Sequence, residues 1–184
     1  MSSFVMRKAL MALIASAVLT LASTASMATT EAPAEVRAAI QAPQPVGQAT
    51  FSWLFWDLFD GSLWSNDGKF SWDQPFALTL TYRTDFSARE LTDQTMSELD
   101  RLTNWSDDTL ASFTGEVARC MADVGNGDRF TATGNMPDRV VLYLNGQQRC
   151  SLEKPGLRGQ FFRIWLSDNS KFPAKSRQLT GRPE

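Results

Sequence analysis

The sequence predicts an α+β domain built on an antiparallel sheet, and three observations carry that prediction. Residues 51–56 and 76–83 alternate with the two-residue period of strands. Between residues 87 and 124 apolar side chains recur at spacings near 3.6 instead. Beyond Gly127 the alternation returns around Asn145-Gly146, a strong hairpin-turn pair, and two helical segments follow it. Strands, helices, strands, helices is an order that suits an antiparallel sheet with its helices segregated from it.

The chain opens with Arg7 and Lys8, followed by a small and apolar run from Ala9 to Ala22 that only Ser16 and Thr20 interrupt. Ser26 and Ala28 then stand where a signal peptidase would require small residues. This pattern predicts a secretory signal peptide over residues 1–28. The competing reading, a membrane-spanning anchor, needs roughly 20 apolar residues and the run is shorter. No cysteine follows it, which speaks against a lipid-anchored start. The expected location is therefore periplasmic or secreted, with no stable membrane anchor after cleavage. Residues 29–46, rich in Ala, Pro and Gln, read as a flexible leader in which Val36 to Ile40 can form a helical turn. A single domain is expected over residues 47–182.

Composition narrows the chemistry. Lys and Arg number 18 against 20 Asp and Glu, and removing Arg7 and Lys8 makes the product more acidic. No basic footprint for nucleic acid is present. Histidine is absent, which removes His-based triads, His metal sites and the commonest general base. A transition-metal site would rest on carboxylates, and no acidic cluster has suitable spacing, so no metal or cofactor is expected. Cys120 and Cys150 are the only cysteines, with no CxxC spacing. In an oxidising compartment such a pair reads as a structural disulfide.

The individual elements follow from local pattern. Phe51, Trp53 and Phe55 alternate with Ser52, Leu54 and Trp56 in a strand with apolar residues on both faces; Phe59, Leu63 and Trp64 continue it past a bend at residues 57–61, where Gly61 can admit a bulge. Residues 65–74 are turn-rich. In the next strand Leu78, Leu80 and Tyr82 share one face, while Ala77, Thr79, Thr81 and Arg83 share the other. Ser87 and Glu90 have capping-box spacing at a helix start, and Leu91, Thr95, Leu99 and Leu102 form that helix's buried stripe. A second helix reads Leu110, Phe113, Val117, Met121 and Val124, with Asp107 and Asp108 suited to its N-terminal dipole. A meander over residues 129–152 precedes a helix that buries Phe161, Phe162, Trp165 and Leu166, and Pro173 opens a last short one.

Several of these residues carry a resemblance. Gly47 leads into the aromatic strand, Tyr82-Arg83 ends the next and Gly127-Asp128-Arg129 opens a third. Leu142-Tyr143-Leu144-Asn145-Gly146 and FFRIWLSDNSKFP, Phe161 to Pro173, complete the set. In this order and spacing the sequence resembles the exported bacterial chalcone isomerase-like proteins over Val46 to Gly181. The resemblance implies an open-faced sandwich, one antiparallel sheet covered by a helical layer, with a cleft between them for flat or elongated apolar ligands. The family's plant enzymes use an Arg on the first core strand to steady a phenolate, and a Thr and a Tyr to arrange water at the ketone. Here the Arg position falls near Gly47 and the Thr position near Phe59, neither of which supplies that chemistry. Other family members are non-catalytic and bind fatty acids.

The candidate ligand-binding residues are Arg83, Tyr82, Tyr143, Trp53 and Phe55. Arg83 either holds a carboxylate at a pocket mouth or pairs with Asp85 or another surface acid. Tyr143 either points its hydroxyl into the cleft or completes the core. Trp53 and Phe55 are the aromatic-strand residues taken as pocket wall. The expected function is non-catalytic binding of an apolar small molecule such as a fatty acid. Two alternatives stand beside it. One is an isomerase or lyase using Arg83 with Tyr82 or Tyr143 as an oxyanion clamp; the other is an envelope accessory protein docking an unknown protein partner.

Overall fold

The computed structural model describes residues 31–183; the expected signal peptide lies outside the described residues. Six strands form one antiparallel sheet in sequential order: β1 (Gln44–Trp53), β2 (Trp56–Ser65), β3 (Phe76–Tyr82), β4 (Arg129–Met136), β5 (Arg139–Leu144) and β6 (Gln147–Glu153). The inner face carries Leu78, Leu80 and Tyr82 of β3 opposite Phe130 and Ala132 of β4. Helices α2 (Ala88–Leu102), α3 (Asp107–Cys120), α4 (Leu157–Leu166) and α5 (Pro173–Leu179) pack with this face. Among the described residues, no helix is long and apolar enough to cross a membrane.

Local chemistry explains the element ends. At α2 the Ser87 hydroxyl accepts from the Glu90 backbone N–H at 3.2 Å, and the Glu90 carboxylate accepts from the Ser87 N–H at 2.8 Å. This reciprocal box satisfies two otherwise orphaned donors. At α3 the cap is one-sided: the Ser106 hydroxyl accepts from the Thr109 N–H at 3.3 Å. The β5–β6 hairpin turns on Asn145 and Gly146, both at positive φ, as a two-residue turn of matching twist requires. Cys120 and Cys150 form a disulfide with Cα atoms 5.4 Å apart. It ties the end of α3 to the edge strand β6.

Four expectations are corrected. The aromatic stretch is not one strand through Phe55: Trp53 pairs with Trp56, so Leu54 and Phe55 form a two-residue hairpin turn. The irregularity in β2 falls at Leu58, not Gly61, because Phe51 pairs with Phe59 while Ser52 pairs with Asp57. Residues 31–46 are not a flexible leader. They hold α1 (Ala34–Ala39) and the first residues of β1; Val36 and Ile40 are buried against Trp64 and Ala77 on the outer sheet face. Glu35, also buried, receives hydrogen bonds from Arg129 Nε at 3.1 Å and from the Thr131 hydroxyl at 2.8 Å. Finally, α3 ends at Cys120, and Val124 makes a β-bridge with Phe86 instead of a further helical turn.

Gly47 shows why one position in β1 must lack a side chain. Its φ is not positive, so the reason is space: a Cβ there would lie 2.6 Å from the Leu179 carbonyl oxygen and closer still to that of Gln178. The backbone of α5 thus occupies the volume that any side chain at residue 47 would need.

Candidate functional site

Between the inner sheet face and the helices lies a cavity of about 590 Å³. Its floor is Leu78, Leu80, Tyr82, Phe130, Ala132 and Leu142 from the three central strands. Leu91 and Thr95 of α2 form one wall, and Phe161, Ile164 and Trp165 of α4 form another. Strand alternation and the 3.6-residue helical repeat both present apolar side chains to one space. Around the rim stand the exposed Trp53, Glu90, Gln94 and Lys171.

Two polar features interrupt this wall. Tyr82 is buried among Phe59, Phe86 and Phe130, with ring centroids 5.7 to 6.4 Å from its own. Its hydroxyl makes no hydrogen bond to the described residues, and burial pushes its ionisation far above the usual range. The second feature is the Glu98–Lys171 ion pair, Nζ to Oε1 at 2.6 Å. Glu98 is buried and is also held by Arg101 through Nε at 3.2 Å and Nη2 at 2.5 Å. Burial opposes its charge, but the hydrogen bonds from Arg101 and Lys171 more than offset this and hold the carboxyl below its ordinary range. Lys171 is half exposed and is the cation among the lining residues.

The sequence candidates separate. Tyr82 and Trp53 line the cavity. Arg83 does not: one residue further along β3, it emerges on the outer face, where Nε donates to Asp60 at 2.7 Å and Nη1 approaches Asp57 at 3.8 Å. There it borders a separate polar depression with Thr50, Asp60 and Lys175. Tyr143 pairs with Thr131, an outward-facing residue, and is likewise absent from the cavity lining. Phe55 stands at the hairpin tip and touches no part of the cavity wall. The oxyanion clamp that would join Arg83 to Tyr82 or Tyr143 is therefore not assembled: the sheet separates Arg83 from Tyr82, and Tyr143, though on the outer face, stands across β4 at the level of Thr79, four residues before Arg83. No group of three or more His, Cys, Asp or Glu residues among the described residues could hold a metal ion.

Sequence reasoning missed Lys171 and Glu98. Glu98 stood one residue before Leu99 and three after Thr95, so the helical repeat already placed a carboxylate on the buried stripe. Lys171 lay within the FFRIWLSDNSKFP segment, but only the tertiary fold brings it to Glu98.

The sheet and its helical layer define a chalcone isomerase-like fold. The comparison that supports this is the crystal structure of an Arabidopsis thaliana fatty-acid binding protein, AtFAP1, a protein of that fold. The two superpose with a TM-score of 0.58 at 10% sequence identity, over 76% of this chain and 87% of that one. No family model matches the sequence, and no curated protein matches it.

Proposed function

We propose that the protein binds an apolar small molecule bearing a carboxylate, of the fatty-acid class, without transforming it. The observation that carries this reading is the apolar cavity of about 590 Å³ with Lys171 at its rim. Such a volume lies within the roughly 300–1,000 Å³ typical of small-molecule sites. A carboxylate at the rim would share Lys171 with Glu98, whose charge Arg101 continues to compensate. The name of AtFAP1, a fatty-acid binding protein, supports the same class of ligand on the same fold. Action outside the cytoplasm, as an exported bacterial member of this fold group, is part of the proposal. Supporting it are the signal-peptide pattern of residues 1–28 and the Cys120–Cys150 bond, a feature of oxidising compartments.

Displacement of a fluorescent fatty-acid analogue, backed by native mass spectrometry, tests the reading. One long-chain acid per chain is expected. Lys171→Met should weaken the acid by about three- to ten-fold, below the roughly 1.5–3 kcal/mol of a buried charge-assisted contact because Lys171 is half exposed. The matching fatty alcohol should bind both proteins equally. Failure to take up either compound would sink the proposal.

A further inference from the structure

The β1–β2 hairpin ends in four consecutive large apolar residues that contribute nothing to the core. Trp53, Leu54, Phe55 and Trp56 are 63%, 78%, 97% and 72% exposed. The turn does not call for them. Leu54 has φ 55°, at the first central position of a two-residue turn, where glycine or asparagine is the unstrained choice. Here the chain accepts backbone strain in order to project leucine and phenylalanine. One rung below, the chemistry changes abruptly: the Ser52 hydroxyl donates to Asp57 at 2.6 Å, and Asp57 and Asp60 flank Arg83. An uncharged cap thus sits on a polar collar.

We infer that this tip inserts into the surface of a lipid bilayer. Shape and area select this occupant over a second copy of the chain. The tip exposes about 600 Å² of apolar side chain, against about 800 Å² and 20–30 residues per partner in a stable protein interface. It is convex, so a rigid partner would need a matching socket, whereas a bilayer deforms around it. Two tryptophans bracketing leucine and phenylalanine also match the preference of indole rings for the membrane–water boundary. The cap is one hairpin rung deep, on the scale of the roughly 5–10 Å to which interfacial apolar faces sink. Local charge then specifies the lipid. Two acids and one arginine form the collar, so the attraction is apolar and does not draw on anionic headgroups.

The position of Trp53 gives the contact a consequence. It belongs both to the tip and to the cavity rim, so a seated tip brings the cavity mouth to the lipid surface. The inference goes beyond the ligand reading and does not require the cavity to be loaded.

The test mixes the full chain with phosphatidylcholine vesicles carrying brominated acyl chains and reads tryptophan fluorescence. No tryptophan precedes Trp53, so the apolar run at residues 9–22 does not report. The comparison variant is Leu54→Asn with Phe55→Gly, which supplies a favoured turn and keeps both reporter indoles. Bromine should quench the parent, the variant should melt no lower than the parent, and its partitioning should be at least about ten-fold weaker. Adding phosphatidylglycerol should not strengthen binding. Three results would overturn the inference: no bromine-dependent quenching, equal partitioning of the folded variant, or a binding gain from phosphatidylglycerol that salt abolishes. A concentration-dependent dimer lost in the variant, with vesicles left unbound, would assign the tip to a second copy instead. Fatty-acid uptake from free solution probes the cavity alone, so loss of one reading is distinguishable from loss of the other.

Discussion

A methyl group added at Gly47 tests the packing logic of the fold through the sign of its effect. Glycine within a strand ordinarily costs about 0.5–1 kcal/mol relative to alanine, so Gly47→Ala would be expected to stabilise. The structure requires the reverse. The obstructing atoms are the carbonyl oxygens of Gln178 and Leu179, which are backbone and cannot rotate away. Either α5 lifts or β1 bends, and lifting α5 exposes Leu179, which is fully buried beside Phe51 and Gly61. Burying a leucine is worth about 1.5–3 kcal/mol. After the intrinsic gain is set against this, a net loss of about 1–2 kcal/mol remains. For a domain of this size each kcal/mol moves the midpoint by about 2–4 °C, so the variant should melt roughly 2–8 °C below the parent. Gly159→Ala is the control, because a Cβ there meets nothing within 4 Å. Gly159 is the third residue of α4, within its first turn, so that change should raise stability by up to about 1 kcal/mol, the helix-interior value. Thermal and urea unfolding followed by circular dichroism would measure both. A Gly47→Ala protein as stable as the parent, or more so, would refute the argument.

Other expectations concern the cross-link, acid sensitivity and the cavity phenol. The Cys120–Cys150 bond closes a loop of sequence separation 30, worth about 3–4 kcal/mol in the chain-entropy model. Replacing both cysteines by serine should lower the melting midpoint by roughly 6–16 °C, and reduced parent protein should melt with the variant. Glu35 is held below its usual 4.5: burial opposes the charge, while a backbone hydrogen bond, Arg129 and Thr131 outweigh it. Its stabilisation is present above pH 4.5 and is lost as pH falls through the lower folded value. Glu35→Gln should therefore destabilise at pH 7 and flatten the acid limb of the stability–pH curve. Tyr82→Phe removes a hydroxyl without a hydrogen-bond partner among the described residues, so stability should shift by less than about 0.5 kcal/mol. Fatty-acid affinity should stay within about two-fold if Lys171 and not Tyr82 holds the head group.

Much of the fold was legible because it is written in short-range periodicity. The Ser87–Glu90 box, the Asn145-Gly146 turn and the apolar stripes of α2 and α4 each need only a handful of neighbouring residues. The Leu54-Phe55 turn was illegible for the opposite reason, since neither residue favours a turn. Helix α1 was legible only as a helical turn over Val36 to Ile40; its docking on the sheet was hidden because its stabilising partners lie far away, Glu35 and Arg129 being 94 residues apart. The face of Arg83 was available in the alternation, which sets it with Ala77, Thr79 and Thr81 and opposite Tyr82. Chemical appeal at position 83 competed with a geometric rule, and the rule prevailed. The Glu98–Lys171 pair depends on how α2 meets the segment between α4 and α5, and local pattern does not encode that meeting.

The two cross-links of the helical layer differ in kind. At α3 the attachment to β6 is covalent; at α2 the attachment to the segment before α5 includes the ion pair of Glu98 and Lys171. The layer is thus fastened in two ways, by a covalent bond at Cys120–Cys150 and by an electrostatic pair at the cavity rim. Both members of that pair line the cavity, so the polar fastening of α2 and the cavity mouth share a residue. A guest carboxylate that shares Lys171 with Glu98 would thus touch the same ion pair that fastens the helical layer, so that occupancy and the fastening of α2 are coupled through one ammonium group.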